Sequence, residues 1–162
     1  MTTFTLKIVT PDGLIYEGPA RGLVVRTITG DMGILPRHMD AVAPLGMGRA
    51  VVTTEEGRRT AACIGGMVSV TNGNVTLVPT TFEWAEDIDV ERVAQSKARA
   101  QKVLQDKDAT ATEIALAEAR LKRALVRGSV AAGIKKEKSR HRRLFCFFAA
   151  YETLSKRRVF LD

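Results

Sequence analysis

The sequence predicts an α+β fold, an N-terminal antiparallel β-sandwich followed by an antiparallel two-helix hairpin, and three observations carry that expectation. Apolar residues alternate with polar ones in short runs up to Val78. Turn-forming glycines, prolines and asparagines separate those runs. From Ile88 onward the apolar period changes from two to that of a helix.

Taken in order, Phe4, Leu6 and Ile8 alternate with Thr5, Lys7 and Val9, which places one face of a strand in a core. Pro11-Asp12-Gly13 turns the chain, because proline presets the first turn angle and glycine accepts a positive one. Leu14 to Glu17 and Leu23 to Ile28 read as further strands. Arg49 to Thr54 and Arg58 to Ile64 flank Glu55-Glu56-Gly57 as a hairpin, and Val68 to Thr71 and Val75 to Val78 flank Asn72-Gly73, a strong short-range hairpin signal. Many short strands with closely spaced turns indicate a sandwich or a barrel. This unit is expected to span residues 1–86.

The hairpin is expected over residues 87–131. Val90, Val93, Ala94, Ala98 and Leu104 are assigned to one helical face, with Asp87 or Asp89 capping its start. Asp106 to Ala109 interrupts the helix, and Thr110 and Glu113 have the spacing of a capping box. Ile114, Ala117, Leu121 and Leu125 are assigned to the second apolar stripe. Such alanine-rich seams bury less apolar area than leucine seams, which fits a moving part.

The net charge of +7 is unevenly placed. From Gly133 there are nine Lys or Arg against three Asp or Glu, leaving sixteen against fifteen for residues 1–132. A groove that tracks nucleic acid needs cations spread over a folded face, so the body is not expected to bind nucleic acid. Residues 132–162 form an atypical basic extension, with KKEKSRHRR, then LFCFFAAY, then Lys156 to Arg158. A basic stretch beside aromatics supports an alternative reading of the chain as a lipid- or nucleic-acid-binding module. No apolar run is long enough to cross a bilayer, and MTTFTLKIVT lacks the marks of a signal peptide, so a cytoplasmic location is expected. Cys63 and Cys146 have no metal or disulfide spacing and are expected to be inert thiols. With His38 and His141 the only histidines, and no GxSxG, HExxH or P-loop, no catalytic residue and no metal site are expected.

The stretch Thr29 to Gly48, TGDMGILPRHMDAVAPLGMG, carries four glycines and two prolines, and is expected to be a shaped loop rather than a regular element. Its Ile34, Leu35, Met39, Val42 and Leu45 imply that it presses on a core or a partner. The run GDMGILPRH, with TPDG at Thr10 to Gly13 before it and Gly65-Gly66 after it, resembles the epsilon subunit of the bacterial F-type ATP synthase over about the first four-fifths of the chain.

That resemblance implies a β-sandwich followed by a regulatory helical hairpin, in a non-catalytic rotor subunit of a proton-translocating rotary motor. Its implied partners are the gamma subunit of the central stalk, the ring of membrane c subunits and, through the hairpin, the alpha and beta subunits of the catalytic head. The implied location is the cytoplasmic face of the plasma membrane, held peripherally. The resemblance makes Asp31 and His38 candidate rotor contacts, with Arg37 standing where relatives commonly have glycine. IDVERV at Ile88 to Val93 is similar to the nucleotide-binding signature of some bacterial epsilon subunits, with Val93 in place of the usual alanine. No cofactor is expected, and ATP is the candidate regulatory ligand, with Glu83, Ile88, Asp89, Arg92, Arg99, Arg123 and Arg127 as its candidate site. Arg92 and Arg99 share one helix face, as do Arg123 and Arg127, and such guanidinium forks can grip phosphate without a P-loop.

Overall fold

The computed structural model describes residues 2–133. Ten strands are followed by two helices: β1 Phe4–Thr10, β2 Gly13–Ala20, β3 Gly22–Thr27, β4 Gly30–Ile34, β5 Ala41–Pro44, β6 Met47–Thr53, β7 Arg58–Ile64, β8 Met67–Thr71, β9 Asn74–Val78, β10 Thr81–Trp84, α1 Val90–Gln105, and α2 over residues 111–133. The strands form two five-stranded sheets, ordered β2-β1-β9-β8-β5 and β10-β7-β6-β3-β4. Every neighbouring pair is antiparallel except β1 with β9, which run parallel with Thr5 opposite Asn74.

Alternation decides which side chains meet between the sheets. Phe4, Leu6 and Ile8 of β1 are buried, and they join Leu23, Val25, Ile34, Val52, Val68, Val70, Val75, Leu77, Phe82 and Trp84 in one core. Burying each such side chain contributes about 1.5–3 kcal/mol. Cys63 lies in the same core, where burial pushes its thiol up to about 12, so it is unreactive at neutral pH. Cys146 lies outside the described residues.

Two of the five passages of the chain between the sheets lie at adjacent corners. β5 leads to β6 through Leu45-Gly46, and β7 leads to β8 through Gly65-Gly66. Gly65 N donates to Gly46 O at 3.0 Å and Leu45 N donates to Gly66 O at 2.9 Å, so each corner fastens the other. Gly66 has φ 94°, and a Cβ there would stand 2.0 Å from Val78 O. Only glycine fits.

Three expectations need correction. The stretch Thr29 to Gly48 is not one loop, because it contains β4 and β5 and leads into β6. Both β4 and β5 are edge strands, each with one neighbouring strand in its sheet, and an edge tolerates the glycines and the terminal proline that a central strand would not. Its tight turn carries Arg37 at φ 68°, a left-handed conformation that favours glycine. The strand Thr81–Trp84 has no counterpart in the sequence reading, since four residues give too little alternation to register.

The helical faces also differ from the sequence assignment. Val90 is 48% exposed and Ala94 and Ala98 are exposed, whereas Val93 and Leu104 of the assigned face are half-buried, as are Ser96 and Val103, and Ala100 is buried. On α2 the buried residues are Ala117, Ala124, Val130 and Ala131, with Leu121 half-buried, while Leu125 is 49% exposed. Alanine occurs all round both helices, so hydrophobicity distinguishes the faces poorly and close approach decides. A Cβ on Gly128 would lie 3.7 Å from Val93 Cγ1, an ordinary van der Waals distance, which locates one place where the helices meet.

Candidate functional site

Two surfaces bring the candidate residues together. The first lies where the hairpin meets the edge of the second sheet. The Asp89 side chain caps α1, its Oδ1 accepting from Glu91 N and Arg92 N at 3.0 Å each, so of the two candidate caps Asp89 acts and its position is fixed by the helix start. Arg92 sits one turn into α1. Arg127 comes from α2, and its Nε donates to Oε2 of Glu83 on β10 at 2.7 Å, with both side chains about three-quarters buried. Ala62, the register partner of Glu83, is 1% exposed although Glu83 points away from the sandwich core, so this outer face is covered.

Glu83, Asp89, Arg92 and Arg127 thus line one cleft of about 300 Å³, together with Asp87, Val93, Ser96 and Ala124. Ile88 is buried beside them at 7% exposure, an anchor for the start of α1 rather than a polar contact. Arg99 instead lines a separate groove of about 840 Å³ with Lys102, Glu113 and Arg120. Arg123 donates through Nε to Ala119 O on its own helix at 3.2 Å. The structure therefore assembles four of the seven candidates and places Arg99 and Arg123 outside that cleft. Three carboxylates and two arginines suit the amino and hydroxyl donors of a nucleoside, while phosphates require further cations. Sequence reading named Asp87 only as a candidate cap and did not name Ser96: Asp87 lies in the turn before α1, and the only signal for Ser96 is its place one helical turn after Arg92.

The second surface surrounds β3 and β4. Arg26 stands opposite Asp31 across this hairpin, and its guanidinium makes a two-pronged fork, Nε to Oδ1 at 2.9 Å and Nη2 to Oδ2 at 3.3 Å. Thr27 Oγ1 donates to Gly30 O at 2.8 Å and holds the turn. At its tip Ile28 is 70% exposed, and nearby in sequence Leu35, Met39 and Val42 are similarly open. His38 closes the Pro36-Arg37 turn, its backbone N donating to Leu35 O at 3.1 Å and its Nδ1 lying 2.8 Å from Met39 O. Arg26 was not among the sequence candidates, although a two-residue turn at Ile28-Thr29 brings it opposite Asp31.

Comparison with known proteins follows the same division. Residues 3–85 match the family model described as ATP synthase, Delta/Epsilon chain, beta-sandwich domain. Residues 86–132 match the model described as ATP synthase, Delta/Epsilon chain, long alpha-helix domain. The chain belongs to the ATP synthase delta/epsilon chain family.

Within this family it is 39% identical over 131 residues to the ATP synthase epsilon chain of Exiguobacterium sp. strain AT1b, covering 80% of this chain and 96% of that one. It is 40% identical over 131 residues to the epsilon chain of Halalkalibacterium halodurans, covering 81% and 98%. Among solved structures, the fold is similar to a chain in the Euglena gracilis mitochondrial ATP synthase, with TM-score 0.62, 23% identity, and coverage of 85% of this chain and 82% of that one. A chain of the Tetrahymena thermophila mitochondrial ATP synthase central stalk and c-ring structure gives TM-score 0.52 at 12% identity, covering 78% and 95%.

Proposed function

We propose that this chain is a non-catalytic central-stalk subunit of a proton-translocating F-type ATP synthase, linking the membrane ring to the catalytic head and restraining ATP hydrolysis through its hairpin. The observation that carries this reading is a division of labour within the family fold. The β3–β5 end of the sandwich presents Ile28, Leu35, Met39 and Val42 to solvent, which suits packing against the gamma subunit and the c-ring. The hairpin is held to the opposite edge of the same sheet by Glu83 and Arg127 across a small polar cleft. Relatives named ATP synthase epsilon chain support the assignment, as do structural neighbours within ATP synthase assemblies.

Among the described residues no helix is long and apolar enough to cross a membrane, which fits peripheral attachment at the cytoplasmic face of the plasma membrane through partners. ATP is the proposed regulatory ligand of the cleft, favouring the packed-down hairpin. At a hundredfold excess over its dissociation constant a ligand shifts such an equilibrium by about 2.7 kcal/mol. A raised hairpin would present its arginines to the head. The alternative, a basic-tailed lipid- or nucleic-acid-binding module, rests on residues 134–162, which lie outside those described.

The test is affinity purification of the full chain from native membranes, beside a variant lacking residues 133–162. Gamma, c and head subunits recovered with both chains support the reading. Recovery of nucleic acid or lipid alone, lost with the extension, refutes it.

A further inference from the structure

On the β3–β4 surface, and resting on its reading as a rotor contact, we propose that Arg26 and Asp31 act as one net-neutral recognition element that Gly48 makes possible. The partner it fits is a polar loop that gives an acceptor to Arg26 and a donor to Asp31, rather than a cation that pairs with a lone carboxylate.

The geometry begins with Gly48. A Cβ added there would stand 2.4 Å from Arg26 Cβ and 2.8 Å from its Cγ. These atoms are the root of the side chain, so rotation of its far end relieves nothing. With no side chain on Gly48, the stem of Arg26 lies against β6 while its guanidinium reaches Asp31 on β4, and the side chain bridges three strands. The two-pronged fork satisfies two of the five guanidinium donors and one lone-pair site on each carboxylate oxygen. Both side chains are 48% exposed, so the remaining donors and acceptors face outward. Ile28 and the 38% exposed Val24 supply the apolar surroundings on the same strand segment.

A lone Asp31 would attract a cation, and its binding would weaken steeply with salt. The fork cancels that charge locally, and what remains is a directional pattern of N–H donors beside carboxylate acceptors. A cation that approaches the open lone pairs of Asp31 meets the Arg26 charge beside them, so it gains little from a fork that is already neutral. A partner with amide and carbonyl groups adds bonds to both residues without breaking the fork.

The test is rebinding of the full chain to synthase membranes stripped of this subunit, with Asp31→Asn, Arg26→Gln, their double variant and Gly48→Ala, each checked for folding by circular dichroism. Expected is a loss of about tenfold for either single substitution, with the double variant no worse than either, because the pair acts as a unit. Gly48→Ala should match Arg26→Gln if it folds, and the Arg26 and Asp31 variants decide the matter if it does not. If Arg26→Gln binds as well as or better than the unmodified chain while Asp31→Asn loses affinity, a lone carboxylate meets a cation and the paired element is refuted, with the rotor contact intact. If neither substitution changes rebinding, this face is not the contact, and both the pairing and the surface assignment fail.

Discussion

Glu83 on the last strand of the sandwich and Arg127 on the second helix, 44 residues apart in the chain, meet at 2.7 Å and join the two structural parts. Neither side chain is fully exposed, so the bond is better shielded than the surface pairs Lys7 with Glu17 and Arg21 with Glu55.

Removing this link should loosen the hairpin without unfolding the sandwich. Glu83→Gln is expected to cost about 1 kcal/mol of hairpin docking. Hydrogen exchange should then quicken along α2 while the amides of β1 and β9 keep their protection. Equal loss of protection in both regions would mean that hairpin and sandwich unfold together.

Nucleotide affinity should divide the four arginines. Arg92 and Arg127 line the cleft, so Arg92→Ala and Arg127→Ala are expected to reduce ATP affinity about tenfold or more in calorimetric titration. Arg123 is turned to the Ala119 carbonyl and Arg99 lines another groove, so their replacement should cost less. Equal losses at all four positions would require the helices to rearrange around the nucleotide. An unmodified chain that takes up no ATP at millimolar concentration would remove the regulatory-ligand proposal.

Much of this architecture is legible in the sequence because strong alternation and hairpin chemistry act locally. β1 and the Asn72-Gly73 hairpin emerge in that way. β4 and β5 do not, since the glycines and prolines that suit an edge strand also mark a loop. The helices were legible as helices, but Val90, Ala94 and Ala98 were placed on the wrong face because alanine supplies little contrast between sides. Glu83, Asp89, Arg92 and Arg127 are named by resemblance, yet their convergence depends on how α2 docks against β10. No spacing within one element contains that contact.

The corner at Gly66 should be intolerant of any side chain. Gly66→Ala forces a methyl into the Val78 carbonyl at a left-handed backbone position, with an expected cost of about 3 kcal/mol or more. Chemical denaturation would measure it, and a change below about 1 kcal/mol would show that the corner can shift.

Acid should open the start of α2 before it affects the sandwich. The backbone amide and then the hydroxyl of Thr110 donate to Glu113 and hold its carboxyl below the usual glutamate range. Because the folded value is lowered, this stabilisation is complete above the unfolded value and is lost as pH falls through the folded one. Exchange at the Thr110 to Ile114 amides should therefore rise below about pH 4, near the unperturbed glutamate value. Glu113→Gln should abolish most of that pH dependence, and an unchanged profile would assign it elsewhere.

The parallel pairing of β1 with β9 has a consequence for synthesis. The strand that leaves the ribosome near the beginning has β2 as an immediate neighbour, but its other flank waits for Asn74–Val78. Until then Leu6 and Ile8 belong to an incomplete ribbon with a free edge, the kind of surface on which nascent chains aggregate. The first sheet therefore closes late, after most strands of the second sheet have been made. A stalled chain ending before Asn74 should bind chaperones, whereas one extended past Val78 and clear of the exit tunnel should become protease-resistant.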